Sequence, residues 1–297
     1  MLAAILEERA VLRITGDDAK TFLDNVITND VDSLLPDQAR FAGLLTPQGK
    51  IVADFLVVRA HDEDGGGFLI DAPRAIADDL AKKLAFYKLR AKVVIEDRPD
   101  LAVVAVLEGK ATSETGIVYD DPRHPTLGQR IILPAAEAKS DLENAGFKIA
   151  AADAYHTKRI ALGVPDGGKD FVYSDAYPHE ADMDQLNGVD FKKGCFIGQE
   201  VVSRMERKTM PRTRIVQVMF DTAPFPGVEV KAGDKPAGHM GSGENGKGIA
   251  MVRLDRVQAA LAKGEKITAG GIEISLQKPA WARFPFPGEP DFGAVSA

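Results

Sequence analysis

The chain has very few of the residues that build disulfides and metal centres. Its 297 residues include one cysteine, five histidines and one tryptophan. A single cysteine excludes an internal disulfide and a four-thiolate metal site. The histidines are scattered, and neither H-x-x-H nor C-x-x-C spacing occurs. The sequence therefore predicts no complete metal site.

Long apolar runs are also missing. No stretch approaches the roughly 20 residues that a membrane-spanning helix requires. The first residues, MLAAILEERAVLRI, contain a short apolar patch that is interrupted by Glu7, Glu8 and Arg9. This start predicts neither a secretory signal nor a basic organelle presequence. We expect a soluble, cytoplasmic protein with no membrane partner.

The chain has no excess of positive charge. Its net charge is −7 and its isoelectric point about 5.4, whereas broad binding to nucleic acid requires a strongly basic surface. The segment KKLAFYKLR, residues 82–90, is a basic exception, in which we expect Phe86 and Leu89 to pack inward. No direct nucleic-acid binding is expected.

The patterns that are present predict two or three domains, as the length also suggests. Residues 10–16 alternate like a strand, and residues 17–27 have the apolar spacing of a helix. Pro47 to Gly49 forms the turn of a hairpin, and residues 110–135 are rich in turn residues. From about Thr213 onward, short strands separated by Gly and Pro predict a small all-β barrel or sandwich.

The lone cysteine lies in FKKGCFIGQEVVSRM, residues 191–205. Lys192 and Lys193 supply positive charge, and a helix is expected to begin near Gly198. Cations and a helix N-terminus both favour the reactive thiolate form of a cysteine. A free cysteine is also among the residue types most often buried. The local chemistry therefore leaves open whether Cys195 is a reactive or a buried structural thiol.

The polar residues that follow admit two interpretations. The amide of Gln199 and the carboxylate of Glu200 suit the edge of a flat heterocycle, which offers adjacent donors and acceptors. An acidic residue in the first helical turn is equally favoured by the helix dipole without a ligand. Arg204 and Arg207 have the charge to hold an anionic tail, or are solvated surface residues.

The segment DFKKGCFIGQEVVSRM resembles the signature of the YgfZ-type folate-binding proteins. These are relatives of the glycine cleavage T protein, an aminomethyltransferase, and include iron–sulfur assembly factors. The K-G-C-[aromatic]-x-G-Q-E pattern is complete here. Three further segments carry the resemblance over most of the chain: LRITGDDAKTFLDNVITNDV, LLTPQGKIVADFLV and RIALGVP.

The resemblance implies an α+β fold with a T-protein-like three-part ring of domains, a central folate-binding channel and a C-terminal all-β barrel. On this basis residues 1–210 form a folate-binding region of two interleaved α+β subdomains. Residues 211–285 form the barrel, and residues 286–297 form a C-terminal arm.

The resemblance also implies a function. It predicts an accessory factor that binds tetrahydrofolate or a derivative and supports the assembly or repair of iron–sulfur proteins, including tRNA-modifying enzymes. Its partners are then folate and iron–sulfur client proteins or assembly factors. The predicted catalytic residues are Cys195, Lys193 and Asp54. The predicted cofactor-binding residues are Arg159, Gly194, Phe196, Gly198, Gln199, Glu200 and Arg204.

Two departures from the T protein bear on the alternative, a folate-dependent one-carbon transferase. The acidic pair of the T-protein segment GGILDDLIV is reduced here to GKIVADFLV, with Ala53 in place of one acid and Asp54 as the other. The glutamate of the T-protein segment R-L-E-A-G is replaced by Ala161. Aminomethyl transfer in the T-protein manner is therefore disfavoured, and Asp54, Gln199 and Glu200 become the candidates for pairing with a pterin edge.

Overall fold

The structure is a computed structural model that describes residues 1–62, 65–113, 115–208, 212–290 and 292. No helix in these ranges is long and apolar enough to cross a membrane. Of the predicted C-terminal arm, residue 291 and residues 293–297 lie outside the described part.

The chain divides into two compact units. Unit 1 consists of Met1–Pro47, Ile51–His156 and Leu186–Gln199, and unit 2 of Gln48–Lys50, Thr157–Gln185 and Glu200–Ala297. The domain boundaries at residues 210 and 285 stay predictions.

Unit 1 contains two five-stranded sheets. The first has the order β3-β4-β5-β2-β6 and is antiparallel throughout. The second has the order β10-β1-β7-β9-β8, with one parallel pair, β1 and β10. The strands are β1 Leu2–Ile5, β2 Arg9–Thr15, β3 Ala39–Leu45, β4 Ile51–Arg59, β5 Phe68–Pro73, β6 Val94–Asp97, β7 Leu101–Glu108, β8 Ile117–Asp120, β9 Gln129–Pro134 and β10 Lys148–Ala150.

Three helices belong to unit 1: α1 Ala19–Val26, α2 Arg74–Lys88 and α3 Ala138–Asn144. Leu23 of α1 and Leu80 and Leu84 of α2 join the apolar residues of the first sheet in one buried core. The predicted strand, helix and hairpin at the start of the chain are confirmed as β2, α1 and the β3–β4 pair. The turn-rich residues 110–135, by contrast, include β8 and β9.

A fully buried charge network joins the two sheets of unit 1. Asp71 on β5 accepts hydrogen bonds from Arg9 Nε at 2.5 Å, Arg130 Nη1 at 2.6 Å and the Tyr119 hydroxyl at 3.1 Å. Arg130 on β9 also donates to Asp121, through Nε at 3.1 Å. Because Arg9 and Asp71 belong to the first sheet and Arg130 and Tyr119 to the second, the network fixes one sheet against the other.

The network lowers the pKa of the Asp71 carboxyl group. Burial alone would raise the pKa of Asp71, but the charges and hydrogen bonds of Arg9 and Arg130 outweigh burial, and the pKa lies below its ordinary value. A carboxyl group whose pKa is lower in the folded state stabilises the fold above its unfolded pKa of about 3.9. That stabilisation is lost as the pH falls through the folded pKa.

We predict that Asp71→Asn lowers the free energy of unfolding by about 3–5 kcal/mol at neutral pH, because it removes the buried carboxylate that Arg9 and Arg130 share. Urea unfolding followed by circular dichroism measures the change. Asp79→Asn is the control, because Asp79 and Lys82 form an ion pair in which both side chains are exposed. It should change stability by less than about 0.5 kcal/mol. Equal losses in the two variants would contradict the prediction.

Unit 2 contains a closed barrel of six strands in the order β11-β14-β13-β12-β15-β16. Apolar strand residues, many of them valine and alanine, form one buried core with residues of helix α6, Leu254–Leu261. Gly238 lies where β13 meets β14, and a Cβ there would come within 1.9 Å of the Met251 carbonyl oxygen. The strands are β11 Thr213–Met219, β12 Glu229–Ala232, β13 Lys235–Glu244, β14 Lys247–Arg253, β15 Ile267–Ala269 and β16 Ile272–Gln277. The predicted barrel is confirmed.

The remaining helices carry predicted site residues. They are α4, Asp153–Leu162, which contains Arg159, and α5, Gln199–Lys208, which begins directly after the cysteine motif.

Candidate functional site

Cys195 lies on an irregular loop that leads into α5, and its side chain is exposed. The next residues, Phe196 and Ile197, turn inward: Phe196 is buried, and Ile197 packs against the core of the first sheet. Gly198 has a φ of 81°, the left-handed conformation that glycine adopts without strain. The interpretation of Cys195 as a buried structural thiol is therefore wrong.

Lys193 holds this loop to unit 1. Its ammonium donates to the carbonyl oxygens of Asp24 at 2.5 Å, Ile27 at 3.1 Å and Asn29 at 2.8 Å, and it lies 3.2 Å from Asp24 Oδ1. These carbonyls are in and just after the last turn of α1, where a helix favours positive charge. All three N–H groups of the ammonium are thus used.

The environment of Lys193 also affects its protonation. The side chain is only 2% exposed, and this burial lowers the pKa of Lys193, although Asp24, Asp30 and Asp190 oppose the shift. The backbone N–H groups of Lys192 and Lys193 both donate to Asp190 Oδ1, at 2.7 and 3.2 Å. Lys193 is therefore an anchor of the loop, and its catalytic role stays a prediction.

Gly194, Gln199, Glu200 and Arg204 surround the cysteine in sequence. The side-chain amide of Gln199 donates to the Gly194 carbonyl at 3.0 Å and closes the loop. A Cβ at Gly194 would meet no described atom within 4 Å, so space does not demand glycine there. Glu200 and Arg204 are exposed and form an ion pair of 2.8 Å one helical turn apart. The two charged side chains present polar groups at the surface.

Two further predicted site residues, Asp54 and Arg159, are interior. Asp54 on β4 is buried, opposite Gly43 of β3. Arg159 on α4 is 1% exposed and donates to Asp170 Oδ2 at 2.6 Å and to the Ser242 hydroxyl at 2.7 Å. Its guanidinium thereby joins α4 to β13 within unit 2. Among the predicted folate-binding side chains, Glu200 and Arg204 are exposed and Gln199 is half-buried, whereas Arg159 and Phe196 are buried.

Unit 1 also contains an open cavity of about 760 Å³ that the sequence did not indicate. Arg13, Asp37 and Arg98 provide charged groups in its lining, and His61 provides an imidazole. None of the predicted site residues lines it.

The expected packing of Phe86 and Leu89 is wrong, because their side chains are 72% and 85% exposed. The buried face of α2 carries Ala77, Leu80 and Leu84. Phe86 lies about 200° around the helix from Leu84 and so faces outward. Leu89 follows the helix with a φ of 47°.

Comparisons with known proteins agree with this architecture. Residues 7–111 match the model of the GCVT N-terminal domain, and residues 212–284 match that of the CAF17 C-terminal beta-barrel domain. The crystal structure of glycine cleavage system aminomethyltransferase T from Bartonella henselae superposes with a TM-score of 0.73 and 16% identity, and covers 96% of this chain and 87% of that one. The chain therefore has the T-protein fold with a C-terminal barrel, as predicted.

Several curated relatives narrow the family. An iron–sulfur cluster assembly factor IBA57 homolog from Coccidioides immitis is 30% identical over 311 residues, which cover 91% of this chain and 72% of the relative. The human IBA57 factor is 29% identical, and the alignment covers 86% of this chain and 78% of the human protein. The homolog from Mycosarcoma maydis is 31% identical, and the alignment covers 75% of this chain and 58% of that homolog. The chain belongs to this family of iron–sulfur cluster assembly factors.

These relatives bear on two expectations, the location of the protein and its assignment within the superfamily. The three are named as mitochondrial proteins, so the expected cytoplasmic location is wrong. The resemblance to the T-protein superfamily is confirmed, whereas the YgfZ-type assignment within it stays a prediction.

We predict that Lys193→Met lowers the free energy of unfolding by about 2–3 kcal/mol, because buried carbonyls at the end of α1 lose their charged donor. Urea unfolding measures the loss. Lys192→Met is the matched control, since Lys192 is exposed, and should change stability by less than about 0.5 kcal/mol. If both variants unfold at the urea concentration of the wild type, the contacts of Lys193 do not stabilise the fold.

Proposed function

We propose that this chain is an accessory factor for the assembly or repair of iron–sulfur proteins and that Cys195 is its contact with the cluster or the cluster carrier. The observation that carries the proposal is the position of Cys195, which is exposed on a loop whose neighbours Lys193 and Phe196 are buried. The family to which the chain belongs supports the same role.

The chemistry of a single thiol limits how Cys195 acts. Iron–sulfur clusters are held by several ligands, usually four thiolates. One thiolate therefore contacts a cluster only while a partner protein or a small thiol supplies the others. An exposed thiol on an anchored loop suits such a shared contact, because a partner reaches it without unfolding the loop. Iron–sulfur enzymes that modify tRNA are the client proteins we propose.

The proposed ligand is tetrahydrofolate or a derivative. The T-protein fold supports this choice, and the exposed Glu200 and Arg204 are suited to it. The carboxylate of Glu200 is suited to accept hydrogen bonds from the N–H groups of a pterin edge, with Arg204 as its ion-pair partner. Gln199 supplies an amide beside them in the sequence. Arg159 does not fit this role, because its guanidinium is buried against Asp170 and Ser242.

We predict that Cys195→Ser fails to restore the activity of a dependent iron–sulfur enzyme in cells that lack the native protein. The hydroxyl keeps the size of the thiol but is a poor iron ligand at neutral pH. Enzyme activity per amount of enzyme protein is the measurement.

The matched control for this experiment is Lys192→Ala, another exposed change in the same loop, which should restore the enzyme. Because Cys195 is exposed, its substitution should leave the free energy of unfolding within about 0.5 kcal/mol of the wild type. Full rescue by Cys195→Ser at normal abundance would remove the thiol from the mechanism.

We predict that tetrahydrofolate binds the wild-type chain and that Glu200→Gln weakens binding at least tenfold, because the charged acceptor is lost. Isothermal calorimetry under anaerobic conditions measures the affinity. Glu273→Gln is the control, since Glu273 is an exposed glutamate paired with Lys266, and it should bind like the wild type. Absence of heat with the wild type would reject folate as the ligand, and equal affinity of Glu200→Gln would reject Glu200 as its contact.

A further inference from the structure

Three side chains of the types that bind metal ions lie together in unit 2, two from residues 179–184 and one from α5. His179 Nε2 lies 3.0 Å from Glu206 Oε2, and one ligand atom each from His179, Asp184 and Glu206 lies within 4.8 Å of the other two. His179 is only 1% exposed. The side chain of Glu206 on α5 is 47% exposed and provides a path from solvent.

Arg214 on β11 holds the inner side of this cluster. Its guanidinium donates to both oxygens of Asp184, at 2.6 and 3.0 Å, and to the carbonyl of His179 at 2.6 Å. The side-chain amide of Gln185 also donates to Asp184 Oδ2, at 2.8 Å. A carboxylate oxygen accepts about two bonds, so Asp184 Oδ1 keeps a lone pair for a metal ion. Metal sites characteristically have such a supporting layer behind their ligands.

Asp182 is a further acidic residue that Arg214 contacts beside this cluster. Its carboxyl is fully buried, and Oδ1 lies 3.2 Å from the same Arg214 Nη1 that donates to Asp184. Its Oδ2 is buried and has no hydrogen-bond partner within the described ranges. A buried polar oxygen without a partner costs about 1–3 kcal/mol. Asp182 is a neighbour of the cluster and not one of the three side chains whose ligand atoms lie together.

We propose that His179, Asp184 and Glu206 bind one divalent transition-metal ion. One imidazole and two carboxylates form a mixed nitrogen and oxygen set that suits Zn²⁺ and its neighbours in the first transition row. Mg²⁺ and Ca²⁺ prefer oxygen ligands alone. Three protein ligands also match sites that keep a coordination position open for water. The site does not depend on Cys195 or on folate.

Zinc binding to the full-length chain tests the proposal. The Cys195→Ser background removes the exposed thiol as a competing zinc ligand. Dialysis against buffered ZnCl₂ followed by metal analysis should give one zinc per chain, and calorimetry should show a single saturable site. Zinc should also raise the melting temperature. MgCl₂ at the same concentration should do neither.

Glu206→Gln is the discriminating variant, because its side chain is partly exposed and keeps its size, so the fold is preserved. It should weaken zinc binding at least tenfold and abolish the zinc-dependent rise in melting temperature. Asp37→Asn is the matched control, since it removes the carboxylate of another histidine pair, His61 and Asp37 at 2.8 Å, and should bind zinc like its parent. Either no saturable binding by the parent or unchanged affinity in Glu206→Gln would overturn the proposal.

Discussion

The burial of the Lys193 ammonium at the end of α1 is the interaction on which the cysteine loop depends. A buried ammonium is costly unless all of its donors are bonded, and here three carbonyl oxygens and the carboxylate of Asp24 bond it. Helix α1 is itself fixed by Leu23 in the core of unit 1. The position of Cys195 thus derives from the core, because Lys193 and Phe196 are anchored on either side of it.

Much of the fold could be predicted because its signals are local. The β3–β4 hairpin and the barrel both arise from short apolar alternations punctuated by Gly and Pro. Strands β8 and β9 could not be predicted from the sequence. They are only four and six residues long and lie among turn residues, and they form strands because they pair within the sheet that also contains β1 and β7. The prediction that Phe86 is buried was wrong for a related reason. It rested on the apolar side chain alone, whereas the position of Phe86 around α2 places it on the exposed face of the helix.

The site was less predictable than the fold because its contacts are distant in sequence. The exposure of Cys195 depends on Lys193, whose partner carbonyl at Asp24 lies 169 positions away. Spacing rules that look for metal ligands within a few residues likewise pass over His179 and Glu206, which are 27 positions apart. The cysteine motif itself could be found in the sequence because its residues are contiguous. Which of its side chains are exposed and which are buried could not be predicted.

The same contacts favour Cys195 as a ligand over Cys195 as a nucleophile. A catalytic thiol needs a nearby base that takes its proton. Lys193, the nearest buried cation in the sequence, donates all three N–H groups to backbone carbonyls and has no free lone pair. Glu200 and Arg204 neutralise each other as an exposed pair. With Ala53 and Ala161 at the positions of two T-protein acids, the chain keeps the T-protein scaffold without that enzyme's full set of acids. An exposed thiol on a loop that Lys193 anchors is what remains, and this arrangement supports the proposed role of Cys195 as a ligand shared with a partner.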